Sequence, residues 1–346
     1  MNERRLYVDR AIGEVRGLVT LEGRPERLLI QREGEDQRLS LGARLIARVS
    51  GVEPAMATAF LDLGGDLQAI LPFKPDAKPV RGALLEIEIR GEARDGKLAV
   101  ARAIGMGEGA LRLLSAAPDL AETLKLFARD AAVIEGPEAR NRADEAEAEA
   151  LETIHPLPGG GTLAIEPTRA LTAVDVDLGE RKGQDAKRVT RLANLTALGE
   201  AARLLRLKGL GGIVVMDLVG RGHDGAALLA AARMAFAPDN PGVAIGPVGR
   251  FGTMELSIPR RTRPLAEQLR RADGALSDRT LAQRLVRRLE TEALAQPGSR
   301  IAAICAPSVA SAADMFILAL AQRFGARFTI KADPSRAREQ IDVSAA

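Results

Sequence analysis

Apolar residues come in short runs near the start of the chain and at helix-like spacing further on. Residues 6–8, 15–21 and 28–30 are runs of strand length, punctuated by Gly13 and Gly23. Further runs follow at 44–52, 57–64 and 68–72, and then at 84–89 and 97–101. The pattern predicts a run of about five short strands, which fits a small Greek-key barrel of the OB type.

The stretch 137–152 breaks the pattern: it is rich in alanine and acid, with almost no large apolar side chain. It reads as an exposed helix or a mobile connector. Pro156, Pro158 and the glycines 159–161 then interrupt the chain.

An α/β alternation follows. Strands are predicted at 163–165 and 171–178, then a helix at 185–207 with Leu195, Leu198, Ala202 and Leu205 at three- to four-residue spacing. Gly209, Gly211 and Gly212 end that helix. The continuous apolar run 213–219 reads as a central strand. A helix at 226–236 and strands at 243–248 and 253–258 come next. The last part repeats the theme: helix 281–295, strand 300–306, helix 312–324, strand 328–331. The fold class is therefore α/β, in several parts.

Composition narrows the function. The chain has 346 residues, 46% of them hydrophobic, enough for two or three folding units with real cores. No apolar stretch approaches the roughly 20 residues of a membrane span, and the charged N-terminus offers no signal-peptide core. These features predict a soluble cytoplasmic protein without a membrane partner. The single cysteine, Cys305, excludes an internal disulfide. With His155 and His223 as the two histidines, no His/Cys zinc site can be assembled. A net charge of +3 says little about nucleic acid. Nine arginines between Arg260 and Arg288 say more: they make either bidentate phosphate contacts or a solvated helix face. The absence of Trp, with one Tyr and eight Phe, limits stacking on bases.

Two features stand out chemically. Asp217 interrupts Ile213-Val-Val-Met-Asp-Leu-Val. An ionised carboxylate among apolar neighbours is costly unless it is paired or binds a metal, or the strand ends at a cleft. The alternative is a cap or an ion pair to a nearby arginine. In Ala173-Val-Asp-Val-Asp-Leu, period-two geometry puts Asp175 and Asp177 on one face and the apolar residues on the other. Carboxylates so placed suit magnesium, which takes oxygen ligands and can activate water at a phosphodiester; the alternative is an edge strand with a solvated acidic face. The segment 249–260 offers Arg250 and Arg260; Arg250 beside glycines could reach a phosphate or be a plain loop arginine, and His223 lies in Gly220-Arg-Gly-His-Asp-Gly, a plain turn or a flexible catalytic loop. No nucleotide-binding glycine loop is present.

Taken together, Glu166-Pro-Thr-Arg-Ala-Leu-Thr-Ala-Val-Asp-Val-Asp, Leu205-Arg-Leu-Lys-Gly-Leu-Gly-Gly-Ile-Val-Val-Met-Asp and Gly249-Arg-Phe-Gly-Thr-Met-Glu-Leu-Ser-Ile-Pro-Arg resemble three successive motifs of the ribonuclease E/G family. Upstream, Val52-Glu-Pro-Ala-Met-Ala-Thr-Ala-Phe-Leu-Asp-Leu-Gly is similar to that family's RNA-binding barrel, and residues 276–330 to its small C-terminal domain. The resemblance implies an RNase H-like N-terminal segment (1–40, resumed over 105–160 with the acidic stretch), an inserted OB-fold RNA-binding barrel (41–104), a DNase I-like α/β catalytic domain (161–262) and a small C-terminal α/β domain (263–346). It implies a magnesium-dependent endoribonuclease acting on single-stranded RNA in processing or decay, leaving a 5′-phosphate and a 3′-hydroxyl. Asp175 and Asp217 take the two catalytic, magnesium-binding positions, and Asp177 stands where the family has a supporting asparagine. Phe60 matches a barrel phenylalanine that stacks on RNA, Lys97 a barrel lysine that contacts it, and Arg250 and Arg260 basic positions of the third motif.

The departures from the family pattern are specific. Gly220 replaces a second acid, Ile70 a second barrel aromatic, and Asp177 the asparagine. The cysteine motif of the family's zinc link is absent between Pro264 and Leu276, so no structural zinc is expected, and the protein would be a monomer or a zinc-independent homodimer. The span from Ile104 to Pro156 is too short for the domain that senses a 5′-monophosphate, which predicts indifference to the 5′ terminus. A catalytically weak RNA-binding or regulatory paralogue is the alternative reading; a metabolic α/β enzyme lacks any cofactor motif.

Overall fold

The computed structural model describes residues 3–94, 96–129, 131–180 and 185–345. Three antiparallel strands open the chain, β1 (Arg4–Ala11), β2 (Glu14–Leu21) and β3 (Arg24–Arg32). Next come β4 (Arg44–Glu53), β5 (Thr58–Gly64), β6 (Leu67–Pro72), β7 (Leu84–Gly91), β8 (Ala99–Met106) and β9 (Arg112–Ser115). Strands β5-β6-β8-β7-β4 close on themselves because β4 also pairs with β5. The result is a five-stranded, OB-like barrel, with β9 added outside on β4. Its interior follows the alternation of the sequence: Leu45, Ala47 and Val49 point in, as do Ala59, Leu61 and Leu63.

Helix α1 (Leu120–Ala128), capped by Asp119, covers one face of the first sheet through Leu120 and Leu124. Gly17 permits that approach, since a β-carbon there would lie 2.0 Å from Leu120. Strand β10 (Val133–Ile134) joins β1 in parallel. Helix α2 (Pro137–Leu151) then packs on the other face of this sheet.

Residues 137–152 are thus neither an exposed helix nor a connector. Ala139, Ala143, Ala146 and Ala150 recur every three to four residues and are buried against the core. Alanine buries apolar surface without bulk, so this helix approaches closely with no large side chain. Four of its acids, Asp144, Glu145, Glu147 and Glu149, pair with arginines. Glu147, 2% exposed, accepts from Arg16, Arg284 and Arg287 at 3.1, 3.0 and 3.3 Å. Arg16 also bonds Asp9 at 2.6 Å, and Arg287 bonds Glu14 at 2.5 Å. Burial raises the Glu147 carboxyl, but the arginines outweigh it and hold the group below the usual carboxylate range.

The larger sheet has the order β11-β12-β13-β14-β16-β15. Its strands are β11 (Ile154–Pro156), β12 (Thr162–Pro167), β13 (Thr172–Asp177), β14 (Gly212–Asp217), β15 (Ala244–Val248) and β16 (Thr253–Ile258). Only the β13–β14 pair is parallel, joined through α3 (Ala186–Lys208). Asp185 caps α3 at its start, and Gly209 ends it with φ +68°. Helix α3 lies between this sheet and β3, so both sheets share one core, and α4 (Gly225–Ala235) packs beside it. The opposite face of the sheet is bare. Strand β14 therefore alternates rather than being buried throughout, and Ile213 is 53% exposed.

The chain ends with α5 (Leu265–Leu269), α6 (Asp278–Ala295), β17 (Ile301–Cys305), α7 (Pro307–Phe324), β18 (Phe328–Ala332) and β19 (Asp342–Ala345). The three strands form one sheet, β18-β17-β19. The arginines from 260 to 288 do not form a common solvated or phosphate-facing surface. Arg287 is buried in the network above, while Arg270 and Arg288 donate to the carbonyls of Leu151 and Ile341. Among the described residues, no helix is long and apolar enough to cross a membrane.

Candidate functional site

The site lies at the ends of two adjacent strands. In β13, Thr172, Val174 and Val176 are buried, which turns Ala173, Asp175 and Asp177 to the bare face. In β14, Val214 and Met216 are buried and Asp217 is exposed. The register sets Asp175 directly beside Asp217 on the parallel neighbour. Ala164 of β12 and Thr253 of β16 flank the pair, so small side chains leave both carboxylates open. Adjacent strands lie about 4.8 Å apart, near enough for two carboxylates to share one cation. Asp217 thus avoids desolvation by standing at an exposed strand end, and no buried partner is needed.

Asp177 is two residues further on. Its carboxylate accepts from the Gly179 amide at 2.8 Å and so shapes the turn after β13. Gly161 makes that turn possible: a β-carbon there would fall 2.2 Å from the Asp177 carbonyl oxygen.

The loop after Asp217 is tightly held. The Leu218 amide donates to the Gly252 carbonyl at 3.2 Å. Asn194, buried on α3, grips Val219 from both sides, donating to its carbonyl at 3.0 Å and accepting from its amide at 3.1 Å. Gly220 has φ +92°, and a β-carbon there would meet Thr190 at 2.4 Å. The missing second acid therefore has a local cause: no side chain fits at 220 while Thr190 faces it.

Across the turn from β15 to β16, Arg250 lies over the ring of Phe251, 4.5 Å from its centroid, and Phe251 is 78% exposed. Sequence reading passed over Phe251, although an aromatic between Arg250 and Gly252 on an exposed turn was its signal. It also passed over Asn194, a polar residue inside the apolar stripe of α3.

The predicted site residues fall into separate places. Asp175, Asp177 and Asp217 come together, and the turn bearing Arg250 is tied to the same strand end. Arg260 is elsewhere. Its Nε donates to the Gly211 carbonyl at 3.0 Å, at the far end of β14. That is about 20 Å from Asp217, six residues of extended chain away. Here the barrel joins the sheet: the Glu92 amide donates to the Arg261 carbonyl at 2.8 Å, and the Glu92 carboxylate accepts from the amides of Arg263 and Leu41. Arg94, paired through its backbone with Lys97, has its pKa lowered by burial and by the Arg260 charge. Lys97 is exposed. Phe60, 37% exposed, stands on the outside of the barrel between Gly51 and Ile70 on the flanking strands.

The donor set fits a hard cation. Magnesium needs only one or two carboxylates and keeps several waters. Among the described residues, no group of three or more His, Cys, Asp or Glu could hold a metal ion.

Fold and site together define a mixed α/β protein with an open carboxylate pair at adjacent strand ends and an attached OB-like barrel. Residues 110–261 match the Ribonuclease E/G family. The chain is 32% identical to Ribonuclease E of Escherichia coli (strain K12) over 165 residues, 45% of this chain and 16% of that protein. It is 32% identical to Ribonuclease E of Haemophilus influenzae over the same length, 45% of this chain and 18% of that one. A third relative, Ribonuclease E/G-like protein, chloroplastic, of Arabidopsis thaliana, is 32% identical over 114 residues, 32% of this chain and 11% of that one. Over residues 110–261 this chain is similar to the ribonuclease E/G family. The match spans less than a fifth of the length of these relatives.

Proposed function

We propose that this protein is a magnesium-dependent endoribonuclease that cleaves single-stranded RNA in the cytoplasm. The observation that carries the reading is the in-register pair Asp175–Asp217, exposed side by side at the end of the one parallel strand pair that the described residues form in the larger sheet. In this proposal the first sheet with α2 is the RNase H-like part, and the larger sheet with α3 and α4 is the DNase I-like catalytic part.

Asp175 and Asp217 would hold the metal, and Asp177 would fix the turn beside them. A bound magnesium ion would supply charge neutralisation at the phosphodiester and acidify water. In the hydrolysis, a water oxygen bonds to phosphorus, the bond to the 3′-oxygen breaks, and a proton ends on that oxygen. Arg250, exposed on the turn tied to β14, steadies the scissile phosphate. Phe60 stacks a base on the barrel wall, and Lys97 meets the backbone. Arg260 lies too far from the carboxylates for the reacting phosphate and serves the junction with the barrel.

Two expectations follow for assembly and substrate choice. Cys305 is buried, and burial pushes its thiol up, so a thiolate zinc link is not proposed. The protein is a monomer or a zinc-independent homodimer. The short span from Ile104 to Pro156 is taken up by β9, α1, β10 and α2, so no separate 5′-monophosphate-sensing domain is proposed there.

The test is incubation of the purified protein with labelled single-stranded RNA, with magnesium and with chelator. Magnesium-dependent internal cuts bearing 5′-phosphates are expected, at equal rates on 5′-monophosphate and 5′-hydroxyl RNAs. The absence of Gly220's acid favours a second reading, a binding paralogue. RNA bound tightly and left intact in magnesium would establish that reading instead.

A further inference from the structure

Beside the carboxylate pair lies a cleft that the catalytic reading does not use. It runs between the first turns of α3 and the loop 219–224, and has a volume of about 300 Å³. Several of its polar groups are already engaged. Asn194 holds Val219, the Thr190 hydroxyl donates to the Ala186 carbonyl, and the Asp224 carboxylate accepts from the Ala227 amide to cap α4.

The remaining groups are uncommitted, and their charge is positive. Lys187 and Arg191 come from the helix and Arg221 from the loop. Among the described residues, none of the three has a carboxylate within salt-bridge distance. This separates them from Arg16, Arg140, Arg203, Arg206 and Arg287, each of which is bound to acids. His223 adds a further polar atom. Its Nε2 is shielded from solvent and has no hydrogen-bond partner, and it packs where a β-carbon on Gly252 would come within 3.3 Å. A shielded imidazole nitrogen without a partner costs stability unless a ligand meets it.

The cleft is also preformed. Asn194 and the crowding of Gly220 against Thr190 fix the loop on α3, which keeps Arg221 and His223 facing Lys187 and Arg191. The loop begins directly after Asp217. At this strand end the open carboxylates face one way and a cationic cleft follows within a few residues, an arrangement that a polyanionic strand would satisfy.

We propose that this cleft is a subsite for a backbone phosphate of the bound RNA, away from the bond that is cut, held by Lys187, Arg191, Arg221 and His223. The inference rests on the endoribonuclease reading and extends it by naming where the strand is gripped. Arginines from two elements give a phosphate charge-assisted hydrogen bonds, and the grip is indifferent to base identity.

The test uses the full chain carrying Asp217→Asn, so that bound RNA is not cut. Anisotropy of a labelled short single-stranded RNA is followed through a salt titration. Arg191→Gln with Arg221→Gln should weaken binding roughly tenfold and flatten the salt dependence by about one unit of slope. His223→Ala should weaken binding less. Arg300→Gln, an exposed charge in the C-terminal part, should leave both quantities unchanged. Inorganic phosphate at constant ionic strength should not displace the RNA. An unchanged slope in the double variant, or an equal loss in Arg300→Gln, overturns the subsite, as does selective displacement by free phosphate. The two proposals fail separately. If wild type cuts RNA while the double variant binds normally, the subsite alone is wrong. If wild type neither binds nor cuts, the functional reading falls with it.

Discussion

Two acidic regions of this molecule have opposite fates. The strand-end pair, Asp175 and Asp217, sits in apolar sequence and is exposed, with no ion-pair partner among the described residues. The helix 137–151 is polar in sequence, yet it buries Glu147 among Arg16, Arg284 and Arg287. Local composition therefore predicted the solvation of neither. What decides it is where an element ends and what packs across it. Charges that are all paired hold layers together, and charges left open are free to bind something else.

The sharpest way to break this contrast is to neutralise one charge in each region. Asp217→Asn should reduce RNA cleavage on the order of 10³-fold or more, the range seen when a group stabilising transition-state charge is removed. Its melting temperature should stay that of wild type, since the carboxylate supports no packing. A variant that cuts normally, or one that unfolds, would erase the distinction. Arg16→Met should do the reverse. It strands Asp9 and Glu147 as buried, under-compensated carboxylates and should cost about 3–5 kcal/mol in denaturant unfolding. A loss under 1 kcal/mol would mean that the network is not structural.

Lys208 sharpens the comparison from the cationic side. It is buried at the end of α3, where it donates to the carbonyls of Ala150, at 2.9 Å, and Glu152. Burial lowers its pKa to about 8, and Glu149 and Glu152 only partly offset this. Below pH 8 both folded and unfolded chains carry the ammonium, and the folded state holds it at a cost. Between pH 8 and about 10.4 the folded chain has lost the proton while the unfolded chain keeps it, so stability rises through that window. The difference between wild type and Lys208→Met should change by roughly 3 kcal/mol across it. A flat difference would place the lysine in solvent.

The smallest effect belongs to the barrel. Phe60→Ala should weaken RNA binding by about 1–3 kcal/mol, one stacking contact, with little change in folding because Ala59 and Leu61, not Phe60, form the barrel core. Unchanged affinity would remove Phe60 from the RNA path.

Much of this was legible in the sequence wherever one face of an element is apolar and the other is not. The predicted strand 253–258 coincides with β16, and the predicted helix 185–207 with α3 to within one residue at each end. The period-two pattern around Asp175 named the right face of β13. The misread parts share a cause, dependence on a distant partner. The stripe Ala139, Ala143, Ala146 and Ala150 has helical spacing, but its burial depends on a sheet over a hundred residues earlier. The pairing of Asp175 with Asp217 is a matter of register between strands separated by α3, which spacing along the chain does not reveal. Gly220 looked like a lost catalytic acid and is explained only once Thr190 is seen against it.

The central claim is that the open pair binds a divalent ion, and magnesium titration calorimetry on wild type, Asp175→Asn and Asp217→Asn tests it without RNA or turnover. The account predicts one site on wild type, lost or markedly weakened in each variant while both melt like wild type. Equal magnesium binding in all three proteins would contradict it.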